Sequence, residues 1–479
     1  MIIYSCSSDH LVNTKFISKS LILSLSILVL LSSTAYSFQG IKELNSLQGK
    51  NLLNFEFPKS DNGDKSSHED PDGHIKSATF VSEMFEMEPG LVVGKSFYDI
   101  EFPKGHIGVK SFDAELIDED GNSVPLYETY LHHWFAIRYI ENVTVASMRG
   151  GSKVRPKNYD GFIFKRNQGM CHDFILPLYW GLGVESRGTT SNLPDPFAVE
   201  LHNPAEIPYG YEERWLLDIL AIDTRGTQDR KGCTDCNCDL MNLPKDFYNV
   251  TKGINGEPLT PEYKGGLLCC KDNLKCKLRE GFEGPKRKLA LRYKIRWVDW
   301  DESQIPVNFY VLDSTDKIKS NSSTSFHECQ VEFTILANGS KDSPHVQKTK
   351  IPMQKGGYLI YGTAHLHSSG INATLYGEDG RTLCTSKAKY GTGIEPGNEK
   401  GYAVGRSVCY PKPGSIKIKD GEILTLEARY ESGFLTGAMG HIMEEIKSAY
   451  QDASNSLPSR RPVMEMANPS SLDNTISPL

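Results

Sequence analysis

Residues 288–300, KLALRYKIRWVDW, set the fold class. Leu289, Leu291, Tyr293, Ile295 and Trp297 alternate with Arg292, Lys294 and Arg296. A period of two sends one set of side chains inward and the other into water, as in an antiparallel strand covered on one face. Short apolar runs bounded by Gly, Pro, Asn and Asp continue on both sides. Downstream they fall at 307–312, 331–336, 358–367, 371–376 and 423–426, at intervals typical of β-sandwiches and jelly rolls. Upstream, Ile107, Val109, Phe112 and Leu116 lead into the turn Asp118-Glu119-Asp120-Gly121-Asn122, and a second run over 124–137 predicts a hairpin. The expected fold is all-β, with two jelly-roll-like β-sandwich domains over 75–226 and 287–440. The strand at Leu289 would open the second sheet system, and a disulfide-rich segment, 227–286, would connect the two.

Both ends differ from this region. Residues 58–72 hold almost no apolar side chain, so 38–74 reads as a flexible lead-in. At the other end His441-Ile442-Met443-Glu444-Glu445-Ile446-Lys447 is polar and helix-prone, and 451–479 is rich in Ser, Pro and Asn. Residues 441–479 are therefore expected to form a divergent, disordered tail, with the last strand of the second sandwich missing.

The chain has 479 residues, which exceeds one ordinary core and suggests about two to three domains. With 39 % hydrophobic and 24 % charged residues it has a globular composition. A net charge of −7 without a basic stripe argues against a nucleic-acid partner, because an acidic surface repels phosphate. Lys15 and Lys19 precede an apolar run at 21–31, and Ala35-Tyr36-Ser37 precede Phe38, so 1–37 reads as a secretory signal peptide. That run falls short of the roughly 20 apolar residues of a stable membrane span. Sequons at Asn142, Asn249, Asn321, Asn338 and Asn372 agree with a secreted glycoprotein, extracellular or in another secretory compartment. Beyond the signal, Cys171, Cys233, Cys236, Cys238, Cys269, Cys270, Cys276, Cys329, Cys384 and Cys409 make an even set. An oxidising compartment would pair them in up to five disulfides of undetermined connectivity. The alternative for Cys233, Cys236 and Cys238 is thiolate ligation of zinc, although Cys269-Cys270 lacks the spacing of a second pair.

Histidines carry the candidate chemistry. His365 and His367 are separated by one residue on an expected strand, so both imidazoles point to one face and can converge on a metal ion. The alternative is a pair of hydrogen-bonded histidines. His132 and His133 are adjacent and face opposite ways on a regular strand, with one packed beside Trp134; a bulge or a strand end would let both reach one ion. Met439 offers a thioether, which together with imidazole suits copper(I), or else it is core packing. His106, His172 and His202 read as structural, and Asp299, Asp301 and Glu302 as a turn. No nucleophile elbow, phosphate loop, HExxH or dinucleotide fingerprint is present, and no catalytic residue is assigned.

GHIGVKSFDAELIDEDGNSVPLYETYLHHW, AIDTRGTQDRKGCTDCNCDL, YKGGLLCC, YKIRWVDW, GTAHLHSSG and SVCYPKPGSIKIKDG together resemble the plant stress up-regulated Nod 19 family, over about 75–440. More remotely, His-His, His-x-His and a late Met in that order are similar to the copper type II, ascorbate-dependent monooxygenases of the peptidylglycine- and dopamine-hydroxylating type. That resemblance implies two jelly rolls facing across a solvent gap, with an electron-transfer copper at His132 and His133. His365, His367 and Met439 would hold the oxygen-activating copper, with ascorbate as the reductant and a C–H bond as the target. One departure is Leu220, which stands where the first copper would take a third imidazole, so His202 or another residue would have to substitute. The chain after Met439 is the other. Two functions follow. One is a secreted stress-associated glycoprotein that hydroxylates an unidentified small molecule or peptide. The other is a non-catalytic extracellular protein that binds copper or another ligand.

Overall fold

The computed structural model describes residues 74–448 apart from 151, 172–175, 246, 248–249, 254–255, 321–324 and 338–342. The expected signal 1–37, nearly all of the lead-in, residues 449–479, His172 and the sequons at Asn249, Asn321 and Asn338 lie outside the described residues. The described chain is almost entirely β, and among these residues no helix is long and apolar enough to cross a membrane.

The strand that set the fold class is Arg287–Asp299, and Leu289, Leu291, Tyr293 and Ile295 are buried as its period predicts. A bulge between Arg296 and Trp297 then reverses the phase, so Val298 is buried and Trp297 only partly. Its sheet corrects the expected boundary. Arg287–Asp299 does not open the second sandwich; it pairs antiparallel with Lys76–Val81 and with Ile107–Asp118. Phe85–Met87 pairs with it too, and the sheet extends through Phe197–Leu201 to the parallel strand Ile305–Pro306. Periodicity reports that a face is covered but not by what, and here the cover is the core of the first sandwich. The segment 227–286 is thus an excursion that leaves the first sandwich and returns to it.

The facing sheet runs Val92–Phe97, Tyr211–Asp223, Thr129–Asn142, Phe162–Phe164, with Trp180–Leu182 also on Thr129–Asn142. The expected hairpin forms only its turn: Val124 N donates to Leu116 O at 3.0 Å, and Pro125 follows. Proline has no N–H to continue a ladder, and the chain crosses to the opposite sheet. Between the sheets Phe112 packs on Trp134 and Tyr293, with ring centroids 5.3 and 5.6 Å away.

The second sandwich has one sheet ordered Asn308–Asp313, Gly440–Ser448, Gly357–Leu366, Lys417–Ile418. The other is ordered His345–Pro352, Ile423–Tyr430, Gly370–Tyr376, Thr382–Tyr390, Ala403–Arg406. The expectation that the chain abandons the sheet at His441 is corrected. Gly440–Ser448 is an inner strand, paired on both sides. Ile442 and Ile446 anchor it in an apolar cluster with Leu359, Leu366 and Leu426. Two neighbouring ladders and this burial outweigh the helix propensity of its Glu, Met and Lys. The larger apolar cluster includes Phe112, Trp134 and Trp215 and continues into Phe309, Val311, Ile360, Tyr361, Met439 and Met443, so the two sandwiches share an interior.

The ten cysteines among the described residues all pair. Cys171–Cys329 staples the two sandwiches, Cys384–Cys409 lies in the second, and Cys233–Cys276, Cys236–Cys270 and Cys238–Cys269 hold the excursion. Thiolate ligation of zinc at Cys233, Cys236 and Cys238 gives way to disulfides.

Candidate metal centre

The ladder between Thr129–Asn142 and Tyr211–Asp223 matches Leu131 with Ala221 and then His133 with Leu220. His132 is the extra residue of a bulge, and this is the irregularity that adjacent histidines need to share one site. The two imidazoles approach with Nδ1 atoms 2.9 Å apart. His365 and His367, at the end of Gly357–Leu366, meet them from the second sandwich. Nε2 of His133 lies 2.9 Å from Nε2 of His367. His132, His133 and His367 each present a ring nitrogen within 4.8 Å of the others. The His365 ring stands beside them, its centroid 5.1 Å from that of His133 and 5.2 Å from that of His367.

Burial keeps the His132, His133 and His367 rings neutral, the state in which an imidazole can bind a metal. His132, His133 and His365 are 7, 1 and 5 % exposed, and His367 is partly exposed. Burial first, then the neighbouring imidazoles, pushes His132 down to about 3 and holds His133 and His367 well below the usual imidazole value. Neutral rings keep a lone pair. His367 Nδ1 donates to the Gly437 carbonyl at 2.6 Å, which leaves Nε2 as its bare nitrogen, aimed at His133. Gly437 adopts φ +71°, and a Cβ there would come within 2.6 Å of Gly266 Cα, so only glycine places that carbonyl.

His365 is oriented the same way: Nδ1 donates to Glu185 Oε1 at 2.6 Å, and Nε2 is buried without a hydrogen-bond partner among the described residues. Burial alone would raise the Glu185 carboxyl, but His365 and Arg406 outweigh it and hold it below its ordinary value. A carboxylate behind an imidazole is the usual support of a metal-ligating histidine.

Two nitrogens 2.9 Å apart suit one ion, since bonds of about 2.0–2.1 Å at a right angle span roughly that distance. They do not suit two ions held on opposite sides of a solvent gap, which is what the resemblance to the copper monooxygenases implies. Leu220 faces His133 across the ladder and supplies no nitrogen; the imidazole that lies with those of His132 and His133 is that of His367 from the other sandwich. His202 does not substitute, for its Nδ1 lies 3.1 Å from Gly105 O and its ring packs on Phe102. Met439 is buried in the larger apolar cluster, and its carbonyl accepts from the Tyr430 hydroxyl, which itself accepts from His367 N. Cys236 Sγ lies 3.4 Å from His132 Nε2, but as half of a disulfide it is not a thiolate ligand. His106 pairs with Glu200 at 2.8 Å and stacks on Trp300, and Asp299 pairs with Lys76. Asp301 accepts from Ser303 N in a turn. Asn142 caps the helix Val143–Met148 through Thr144 N, and Asn372 lies on Gly370–Tyr376.

The arrangement missed from sequence is His441. It lies directly across the ladder from His365, with ring centroids 6.1 Å apart, and burial lowers it to about 3. It stood in a segment read as outside the sheet, and the spacing of Ile442 and Ile446, four apart with Glu444 between them, gave no period-two signal of a strand.

Fold and site define an all-β, disulfide-stapled protein whose two sandwiches bring imidazoles to one buried seam. The description "Stress up-regulated Nod 19" belongs to the family model that matches residues 73–447, and the chain is a member of that family. No curated protein matches it. Among solved structures it is similar to the VP2 subviral particle of infectious bursal disease virus, at 11 % identity over 78 % of this chain and 72 % of that chain, with a TM-score of 0.15. It is also similar to the mavirus major capsid protein, at 10 % identity over 84 % of this chain and 92 % of that chain, with a TM-score of 0.20. Likeness that distant carries no argument about this chain.

Proposed function

We propose that this chain is a secreted plant stress protein that binds one copper ion between His132, His133 and His367, and that it is a binder rather than a monooxygenase. The observation that carries this reading is the 2.9 Å approach of His133 Nε2 to His367 Nε2, with His367 held in the tautomer that bares that nitrogen. Imidazole nitrogens suit copper and zinc, and copper(II) binds such donors most firmly among the common divalent ions. Five disulfides agree with an oxidising secretory compartment. Stress association follows the family description. Ascorbate-driven hydroxylation would call for two separately held coppers, and the convergence of both histidine pairs speaks for binding instead.

The test is elemental analysis of protein secreted from a eukaryotic host and loaded with copper, beside a His133→Ala, His367→Ala double variant. Copper in the wild type and its loss from this centre in the variant are expected, with no ascorbate-dependent oxygen uptake above background. Equal copper in both proteins, or none in the wild type, would overturn the assignment. Zinc retained in preference to copper would change the metal, and substrate-coupled oxygen uptake would restore the enzyme.

A further inference from the structure

The second sandwich buries an acid beside a disulfide. Glu444 shares the inward face of its strand with Ile442 and Ile446, and both of its carboxyl oxygens are buried without a hydrogen-bond partner among the described residues. Its ladder partner is Gly362. Gly362 in turn exchanges both backbone hydrogen bonds with Cys409, N to O at 3.1 Å one way and 2.8 Å the other. Glu444, Gly362 and Cys409 therefore form a row across three neighbouring segments, with one face in common. A Cβ on Gly362 would meet Cys384 Sγ at 2.9 Å and Glu444 Cγ at 3.7 Å. The absent side chain is what lets the acid and the Cys384–Cys409 disulfide share this space.

Exposure sets this disulfide apart from the other four. Nine of the ten paired cysteines are buried, and Cys409 alone is partly exposed. Its partner Cys384, 2 % exposed, belongs to the apolar cluster of the second sandwich. A thiolate released there would be costly unless a proton arrived with it.

We propose that Cys384–Cys409 is an exchangeable disulfide, opened at Cys409 by an external dithiol, with Glu444 giving its proton to the Cys384 sulfur that leaves. A thiolate of the dithiol attacks Cys409 Sγ, the Cys384–Cys409 bond breaks, a mixed disulfide forms on Cys409, and Cys384 takes the Glu444 proton. The second thiol of the reagent then attacks its own sulfur in the mixed disulfide and releases Cys409. The dithiol ends as a disulfide and the protein as two thiols, while Glu444 regains from solvent the proton that the first attacking thiol shed. Burial keeps that proton available, since it lifts the Glu444 carboxyl to about 8. Tyr310 faces Glu444 from the neighbouring strand and is itself raised to about 12. The opposite sheet brings Leu375, Leu424 and Leu426 to this interior, none of which titrates.

Chelator-stripped, fully oxidised protein is treated with dithiothreitol without denaturant, quenched by alkylation and mapped by peptide mass. Cys384–Cys409 is expected to open first of the five pairs, and glutathione in place of the dithiol should be found on Cys409 rather than on Cys384. Per attacking thiolate, the wild-type rate should fall above about pH 8 as Glu444 loses its proton. In Glu444→Gln it should be flat with pH and, at pH 7, lower by about tenfold or more. Glu444→Met repeats the test if Glu444→Gln does not fold, and the wild-type profile is decisive without either. Another pair opening first, no opening short of denaturation, or glutathione on Cys384 overturns the exchange site. The same rate and profile in the variants as in the wild type overturns Glu444 as the proton donor, and with it the proposal.

Discussion

Glu115 and Glu444 are buried carboxylates on inner strands of the first and second sandwich, and their surroundings are opposite. Glu115 accepts from Arg187 Nε at 2.8 Å, Ser123 Oγ at 2.8 Å and the Arg292 guanidinium. Burial alone would raise its carboxyl, but Arg187 and Arg292 overcome burial and hold it below the ordinary value. Glu444 has neither oxygen hydrogen-bonded among the described residues, and burial raises it to about 8. Glu445, next along, is raised to about 8 as well, with Lys110 opposing weakly. At Glu115 the first sandwich buries its charge in a matched set that stabilises it. The strand Gly440–Ser448 carries His441, Glu444 and Glu445 with unmet polar atoms, an arrangement that costs stability.

The strongest way to break this contrast is Glu115→Gln, which leaves Arg187 and Arg292 without their counter-charge. A loss of about 3–5 kcal/mol in denaturant unfolding is expected; a loss under 1 kcal/mol would show that the network does not hold the first sandwich together. A Glu444→Gln, Glu445→Gln double variant sharpens the other side. Folded protein keeps these protons up to about pH 8 while the unfolded chain releases them near 4.5, so between these values the folded state binds more protons and stability falls as pH rises. Each group contributes at most about 1.4 kcal/mol per pH unit. His132 and His441, lowered from 6.5 to about 3, act oppositely: their stability is lost as pH falls below 6.5. Glu332, raised by burial to about 7, acts in the same direction as the two glutamates up to that pH. Glu444 and Glu445 therefore stand clear between about pH 7 and 8, where wild-type stability of the metal-free protein should decline and the double variant's should not. Equal slopes would disprove the raised values. The smallest effect belongs to Lys76→Ala, which removes an exposed pair with Asp299 at 2.7 Å. No more than about 1 kcal/mol is expected, vanishing in high salt.

Much of the fold was legible because strands leave a local record. The runs read at 307–312, 358–367 and 371–376 became Asn308–Asp313, Gly357–Leu366 and Gly370–Tyr376. His365 and His367 could be placed on one face by the pleat alone. His132 and His133 could be placed together only on condition of a bulge, and a bulge depends on the partner strand, which spacing does not reveal. His441 was hidden because its neighbours Glu444, Glu445 and Lys447 read as solvent-facing, when in fact both faces of their strand are covered.

What the amino-acid order determined by itself was local: an all-β chain, the ten cysteines beyond its expected signal, its family and two pairs of candidate histidines. These follow from side-chain period, residue type and motif, which act over a few positions. Only the tertiary structure decided that Arg287–Asp299 returns to the first sandwich, which cysteine meets which, and that His133 and His367, 234 positions apart, stand 2.9 Å from each other. Pairing between distant strands depends on which covered faces fit together, and that choice is made by the packing of the whole chain.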